Sequence, residues 1–208
     1  MFLELHGQTD CLITHGAYLK ALVAGHLGNI LQVGEHDLGK DLVDWRKQQG
    51  LPAQPAVVIA SASLDFPLHP GIRASGQTCY IATGQNACPR RVAYWRDQGY
   101  QLLIAGKDRA VEGRLLVEAL GRLGYCRPYL IAGPQMLDTM LRGGCLSRLF
   151  HTTTHQLLGG ERFRSLSPGS EYGHRGHLRL LSLYYEASSP EGAGQWFAQF
   201  ESGGLLSQ

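Results

Sequence analysis

The chain has 208 residues, 44% of them hydrophobic and 17% charged, with a formal net charge of +2. That length and apolar content suffice for one substantial core, so a single domain over residues 1–208 is expected. Interspersed charges without a basic stripe argue against a nucleic-acid partner, and no apolar stretch approaches the about 20 residues that span a bilayer, so no membrane partner is expected either. Met1 to Asp10 lacks a basic-then-apolar leader pattern, and Cys11, Cys79, Cys88, Cys126 and Cys145 are scattered and never in C-x-x-C spacing. A cytoplasmic protein with reduced, mainly packing thiols follows as the expectation.

In chain order, Cys11 to Thr14 reads as a short apolar strand, followed through His15-Gly16-Ala17 by a helix carrying Tyr18, Leu19, Leu22 and Val23 on related turns. Gly25 to Gly34 is a Gly-rich loop with a short strand, and Asp37 to Gln49 has helical spacing that stops before Gly50. Ala56 to Ala60 is a buried strand by its β-branched content, and Gln77 to Ala82 is another after a loop over Phe66 to Gly76. Cys88 to Gln98 fits a helix with Pro89 in its first turn, Tyr100 to Ala105 a strand, and Ala110 to Leu123 an amphipathic helix closed by Gly124.

The segment from Arg127 to Leu137 reads as a buried strand, Arg127 to Ile131, that turns through Ala132-Gly133 into a helix from Pro134 to Arg142. Glycine lets backbone come close to a ligand, and the first amides of a helix favour an anion, so this junction suits a phosphate as well as a plain tight turn. Leu146 to Thr153 follows as a strand. Leu178 to Glu186 and Gln195 to Phe200 then form two apolar-aromatic strands joined by a long hairpin loop. The expected fold is therefore α/β, a mostly parallel central sheet flanked by helices, with an antiparallel C-terminal hairpin at its edge.

Ligands of such sheets bind at the carboxyl ends of the strands. Here those ends carry Thr14-His15-Gly16, Ser61-Ala62-Ser63 and Ala132-Gly133-Pro134-Gln135, which together can line one cleft. Thr83-Gly84-Gln85 is a fourth candidate, since its hydroxyl and backbone amides suit a phosphate or ribose.

The order of these junctions resembles the pyrimidine reductase domain of riboflavin biosynthesis, whose fold is that of dihydrofolate reductase. Leu12 to Ala17 stands where that family has a strand ending in Gly-x-Gly-Thr, Ala56 to Asp65 is similar to its next long strand, and Ile131-Ala132-Gly133-Pro134 stands for Glu-Gly-Gly-Pro. Cys145 to Phe150, running on to Leu157-Leu158-Gly159-Gly160-Glu161-Arg162-Phe163, is similar to its late strand and Gly-Gly-x-x-Phe loop. The resemblance implies an NADPH-dependent reductase that passes hydride to a ribosylated pyrimidine or similar heterocycle as its small-molecule substrate, working as a homodimer. It further implies that the Ala132-Gly133 turn, with Pro134 and Gln135, holds the cofactor pyrophosphate, that Thr14, His15 and Gly16 border it, and that Ser61, Ser63 and Thr83 approach the adenosine ribose and its 2′-phosphate.

The chain also departs from the pattern. The family's opening strand with Ser-Leu-Asp-Gly has no counterpart, which leaves an unpaired edge or an open groove, and Ser63-Leu64-Asp65 is only a look-alike. Ile131 stands for an acidic residue and Ala17 for Thr. No catalytic residue is assigned, and the alternative is a catalytically silent nucleotide-binding or scaffold protein derived from this fold. His151 and His155, with His174 and His177, are read as flanking or solvent-exposed rather than as metal ligands, and Asp108, Glu112 and Glu118 as helix-terminal charges. Tyr184, Tyr185, Trp196 and Phe197 are read as core or dimer packing.

Overall fold

The computed structural model describes residues 2–35, 37–157, 159, 165–167, 169–187 and 192–203. Helix α1 (Phe2–Gln8) leads into strand β1 (Cys11–His15) and helix α2 (Gly16–Val23). A 3-10 turn over Asp37–Gly39 and α3 (Leu42–Gln48) precede β2 (Ala56–Ala60), α4 (Pro70–Ala74) and β3 (Cys79–Thr83). Next come α5 (Pro89–Asp97), β4 (Gln101–Ile104), α6 (Gly113–Arg122), β5 (Pro128–Leu130) and α7 (Pro134–Arg142). These five strands form one all-parallel sheet in the order β4-β3-β2-β1-β5.

Side-chain alternation explains why both faces of this sheet are covered. In a strand successive residues point to opposite faces, so Cys11 and Ile13 of β1 with Ala56, Val58 and Ala60 of β2 look one way. There they meet Leu116 and Leu120 of α6 and Met136 and Met140 of α7. Leu12, Val57, Ile59 and Ile81 look the other way and pack on Leu19 and Leu22 of α2, Ile72 of α4 and Trp95 of α5. A strand such as AVVIA, buried at all its positions, has this two-sided cover as its cause.

The remaining strands, β6 (Arg148–Thr154), β7 (Leu178–Glu186) and β8 (Gln195–Ser202), make a separate antiparallel sheet in the order β6-β8-β7. The expected hairpin is thus present, but it recruits β6 to a sheet of its own instead of edging the parallel one. Among the described residues β5 pairs with β1 alone and β6 with β8 alone, so each is an edge strand. Pro128, which lacks an N–H, suits such an edge.

Other differences from the expected elements have local causes. The Phe66–Gly76 excursion contains α4, started by Pro70 and capped by the His69 ring, which accepts the Gly71 N–H at 3.2 Å. No strand forms over 25–34; instead the Tyr18 hydroxyl accepts the Ile30 N–H and the Asn29 side chain accepts that of Leu31. The helix expected over Asp37 to Gln49 divides at Lys40-Asp41. The Gly-Gly-x-x-Phe segment, apart from Leu157 and Gly159, lies outside the described residues, among which no helix is long and apolar enough to cross a membrane.

Candidate functional site

β1 and its neighbours β2 and β5 run parallel, so their C-terminal turns meet, and between those turns lies a cleft of about 550 Å3. The β1 turn contributes His15, Gly16 and, one helical turn on, Lys20; the β2 loop contributes Ser61, Ser63 and Asp65. Gly133, Pro134 and Gln135 close the third side, with Met136 and Thr139 of α7 behind them and Ala110 and Val111 opposite.

Each turn is shaped by its sequence. His15 is the N-cap of α2, and its Nδ1 accepts the Tyr18 N–H at 3.2 Å. At Gly16 a Cβ would lie 2.9 Å from the Phe66 ring and 3.3 Å from Ser61 Oγ, so a glycine lets the β1 turn approach the β2 loop. In that loop Ser61 Oγ accepts the Leu64 N–H at 2.9 Å, Ser63 Oγ accepts the Asp65 N–H, and Trp95 Nε1–H donates to the Leu64 carbonyl at 3.0 Å. These bonds, with full burial of its side chain, hold Leu64 at φ 55, a left-handed conformation costly for a non-glycine residue. Both serine hydroxyls keep a proton to donate to a ligand.

Charge enters at the rim. Asp65 pairs with Lys20 at 3.1 Å and with Arg91 of α5 at 2.9 Å, and the Lys20 hydrogen bond, followed by the two cationic charges, holds its carboxyl below the usual range. The β5–α7 junction differs from the others in being open. Gly133 is the N-cap of α7 with no side-chain capping bond, and among the described residues a Cβ there would meet only His15 Nε2, at 3.5 Å. Space over the first turn of α7 is therefore free for an anion, which the helix N-terminus favours.

Behind His15 lies a second, apolar hollow of about 470 Å3 bounded by Phe2, Leu27, Ile30, Tyr129, Ile131 and Ala132. His15, Ala17 and Gly133 belong to both walls. The substitution of Ile131 and Ala17 for polar residues of the resembled pattern thus makes this hollow apolar.

Of the residues expected at the site, His15, Gly16, Ser61, Ser63, Gly133, Pro134 and Gln135 line the cleft together. Ala132 lines the apolar hollow instead. Thr14 is buried in β1 with its hydroxyl toward the Ile131 carbonyl at 3.4 Å, and Thr83 is fully buried with no partner for its hydroxyl among the described residues. The amides of Gly84 and Gln85 donate to the carbonyls of Arg109 and Gly106 at 3.1 and 2.8 Å, so this turn spends them on a neighbouring loop and not on the cleft. Lys20, Asp65, Ala110, Val111 and Thr139 were not foreseen. Lys20 stands four residues after Gly16 on one helix face, a signal that was available; Asp65 sat in the look-alike motif, and the 110–111 segment carries no local signal.

Elsewhere, His155 stacks on Tyr185 with ring centres 5.6 Å apart, and no group of metal-ligating side chains assembles among the described residues. Glu112 accepts the Lys107 N–H at 2.7 Å and Asp108 accepts from the Asn86 amide, which are local contacts of the loop that enters α6. All five cysteines are free thiols, and burial pushes Cys11 and Cys79 up to about 12.

No protein-family model and no curated protein sequence matches the chain. Solved structures do. A pyrimidine reductase-like protein from Corynebacterium diphtheriae superposes with a TM-score of 0.65 at 17% identity, over 96% of this chain and 78% of that one. RibD from Acinetobacter baumannii gives 0.61 at 16% identity over 96% of this chain. The deaminase/5-amino-6-(5-phosphoribosylamino)uracil reductase from Thermotoga maritima gives 0.56 at 8% identity, also over 96% of this chain. The chain spans about half the length of these last two, 49% and 47%. The architecture is thus the dihydrofolate-reductase-like fold of the riboflavin-type pyrimidine reductases.

Proposed function

We propose that the chain is an NADPH-dependent reductase resembling 5-amino-6-(5-phosphoribosylamino)uracil reductase, acting on a ribosylated pyrimidine or similar heterocycle. The observation that carries this reading is the cleft at the ends of β1, β2 and β5, where Gly133 leaves the first turn of α7 open. A cleft of about 550 Å3 falls in the range of small-molecule and cofactor sites. The Gly133-Pro134-Gln135 turn would receive the cofactor pyrophosphate, and the Ser61 and Ser63 hydroxyls would donate to ribose or phosphate oxygens. Thr14, buried in β1, steadies that strand end through the Ile131 carbonyl. Lys20 and Arg91 give the rim two cations against the single carboxylate of Asp65, which favours a 2′-phosphate and hence NADPH over NADH. The nicotinamide supplies hydride when bound; the apolar hollow offers a dry wall beside His15 for a flat ring. A cytoplasmic location and a homodimer complete the proposal.

A second reading, a nucleotide-binding protein without turnover, is favoured by one observation. Among the described residues, the titratable side chains lining the cleft are His15, Lys20 and Asp65, and Asp65 is already bound by two cations. Calorimetric titration of NADPH, with NADH as control, followed by an assay of NADPH oxidation with 5-amino-6-(5-phosphoribosylamino)uracil, separates the two. Preferred NADPH binding with turnover is expected. Binding without turnover supports the second reading, and absence of binding overturns both.

A further inference from the structure

His15 occupies a position that its capping role does not exhaust. As the last residue of β1 it has extended backbone, φ −138 and ψ 158, and its Nδ1 receives the Tyr18 N–H. A neutral imidazole has one acceptor and one donor nitrogen, so a ring whose Nδ1 accepts carries its proton on Nε2. Three effects keep the ring neutral. Burial lowers its pKa, the positive end of α2 opposes a cation, and a proton on Nδ1 would break the cap. The result is a fixed Nε2–H donor.

That donor has no hydrogen-bond partner among the described residues. It stands 3.5 Å from where a Gly133 Cβ would be, on the wall shared by the cleft and the apolar hollow. Among the described residues Gly133 leaves this point empty, and none caps the α7 end beside it with a side chain. We propose that His15 donates Nε2–H to a diphosphate oxygen of the dinucleotide, so that the cap of α2 also completes the anion site at the start of α7. This rests on the dinucleotide reading above and assigns one of its contacts to a single atom.

Asparagine separates the two roles, because its side-chain oxygen caps a helix as well as any residue but is too short to present a donor at the Nε2 position. NADPH, ADP and adenosine are titrated calorimetrically into the wild-type chain, His15→Asn and His15→Ala, with thermal unfolding of each. In His15→Asn the midpoint is expected to stay near the wild-type value while NADPH and ADP bind about tenfold more weakly, the effect of one lost hydrogen bond to a charged group. Adenosine, lacking the diphosphate, should be unaffected. His15→Ala should lose the same affinity and also unfold at lower temperature. Wild-type affinity for ADP and NADPH in His15→Asn overturns the proposal and leaves His15 a cap only. An equal loss for adenosine overturns it too, since the ring would then be a packing surface. If the wild-type chain binds neither NADPH nor ADP, the dinucleotide reading itself fails, and this contact with it.

Discussion

The two sheets of this molecule are built from similarly apolar strands and meet opposite fates. β2, read AVVIA, is buried throughout, and Leu12, Val57, Ile59 and Ile81 are fully enclosed, because helices cover the parallel sheet on both faces. β7, read LRLLSLYYE, leaves Leu180 and Leu183 each 51% exposed and Tyr185 63% exposed. Its pairing sorts these side chains between the two faces. Leu180, Leu183 and Tyr185 lie opposite Phe200, Ala198 and Trp196 of β8, alternate residues that share one face, bare at Leu180, Leu183, Tyr185 and Trp196, while Arg179, Ser182, Tyr184 and Glu186 share the other. The lesson is that strand composition records how many faces are to be covered, and leaves open what covers them. The candidate site belongs to the covered half, where strand ends are held rigidly enough to position side chains on a ligand.

The most severe test of this contrast is at Gly84, where β3 ends. A Cβ there would lie 1.9 Å from the Asp108 carbonyl oxygen and 2.7 Å from the Arg109 carbonyl carbon, all backbone atoms with no side chain to swing aside. Gly84→Ala should therefore cost about 3 kcal/mol or more, or prevent folding, as measured by urea denaturation. A near-neutral result would mean that the loop over β3 is not packed as rigidly as the parallel half requires.

A second test uses acid. His6 of α1 is 2% exposed, its Nε2 has no partner among the described residues, and burial pushes its pKa from the ordinary 6.5 down to about 4. The folded state thus resists a proton that the unfolded chain accepts. This group's contribution is fully present above the unfolded value and is lost as pH falls from about 6.5 toward 4, by about 3 kcal/mol in total. His6→Gln should flatten that part of the stability-versus-pH curve measured by denaturant titration. An unchanged slope would sink the assignment and shift acid sensitivity to the more exposed half.

Much of the covered half was legible in the sequence. Short β-branched runs between turns located β1 to β5 within two residues, Pro134 located the start of α7, and the rule that ligands sit at strand carboxyl ends brought His15, Ser61 and Gly133 to one cleft. Illegible parts depend on long-range packing. Thr83 is fully enclosed where the 106–109 loop folds onto the β3 turn and takes the amides of Gly84 and Gln85, a packing no local pattern announces. α4 spans only Pro70–Ala74, too short for an apolar period to show. In the other half the strands were visible but not their arrangement, because nothing in β6 alone specifies whether its partner is β5 or β8.

The smallest stability effect, and the one that addresses the bare face, is expected at Leu183. Half-exposed and set on an outer strand, it should lose within about 0.5 kcal/mol on replacement by serine if the chain is considered alone. A homodimer joined through the face of Leu180, Leu183, Tyr185 and Trp196 would change that accounting, since the same substitution would remove apolar area from an interface core and weaken self-association about tenfold. Analytical ultracentrifugation of the wild-type chain and Leu183→Ser, beside thermal unfolding of both at two concentrations, reads the two effects separately. A dimer that dissociates in the variant, with an unfolding midpoint that depends on concentration only in the wild type, supports the antiparallel sheet as the subunit interface. Monomers in both samples would instead show that the β7 face is a solvated surface, and a dimer unchanged by the substitution would move the interface elsewhere.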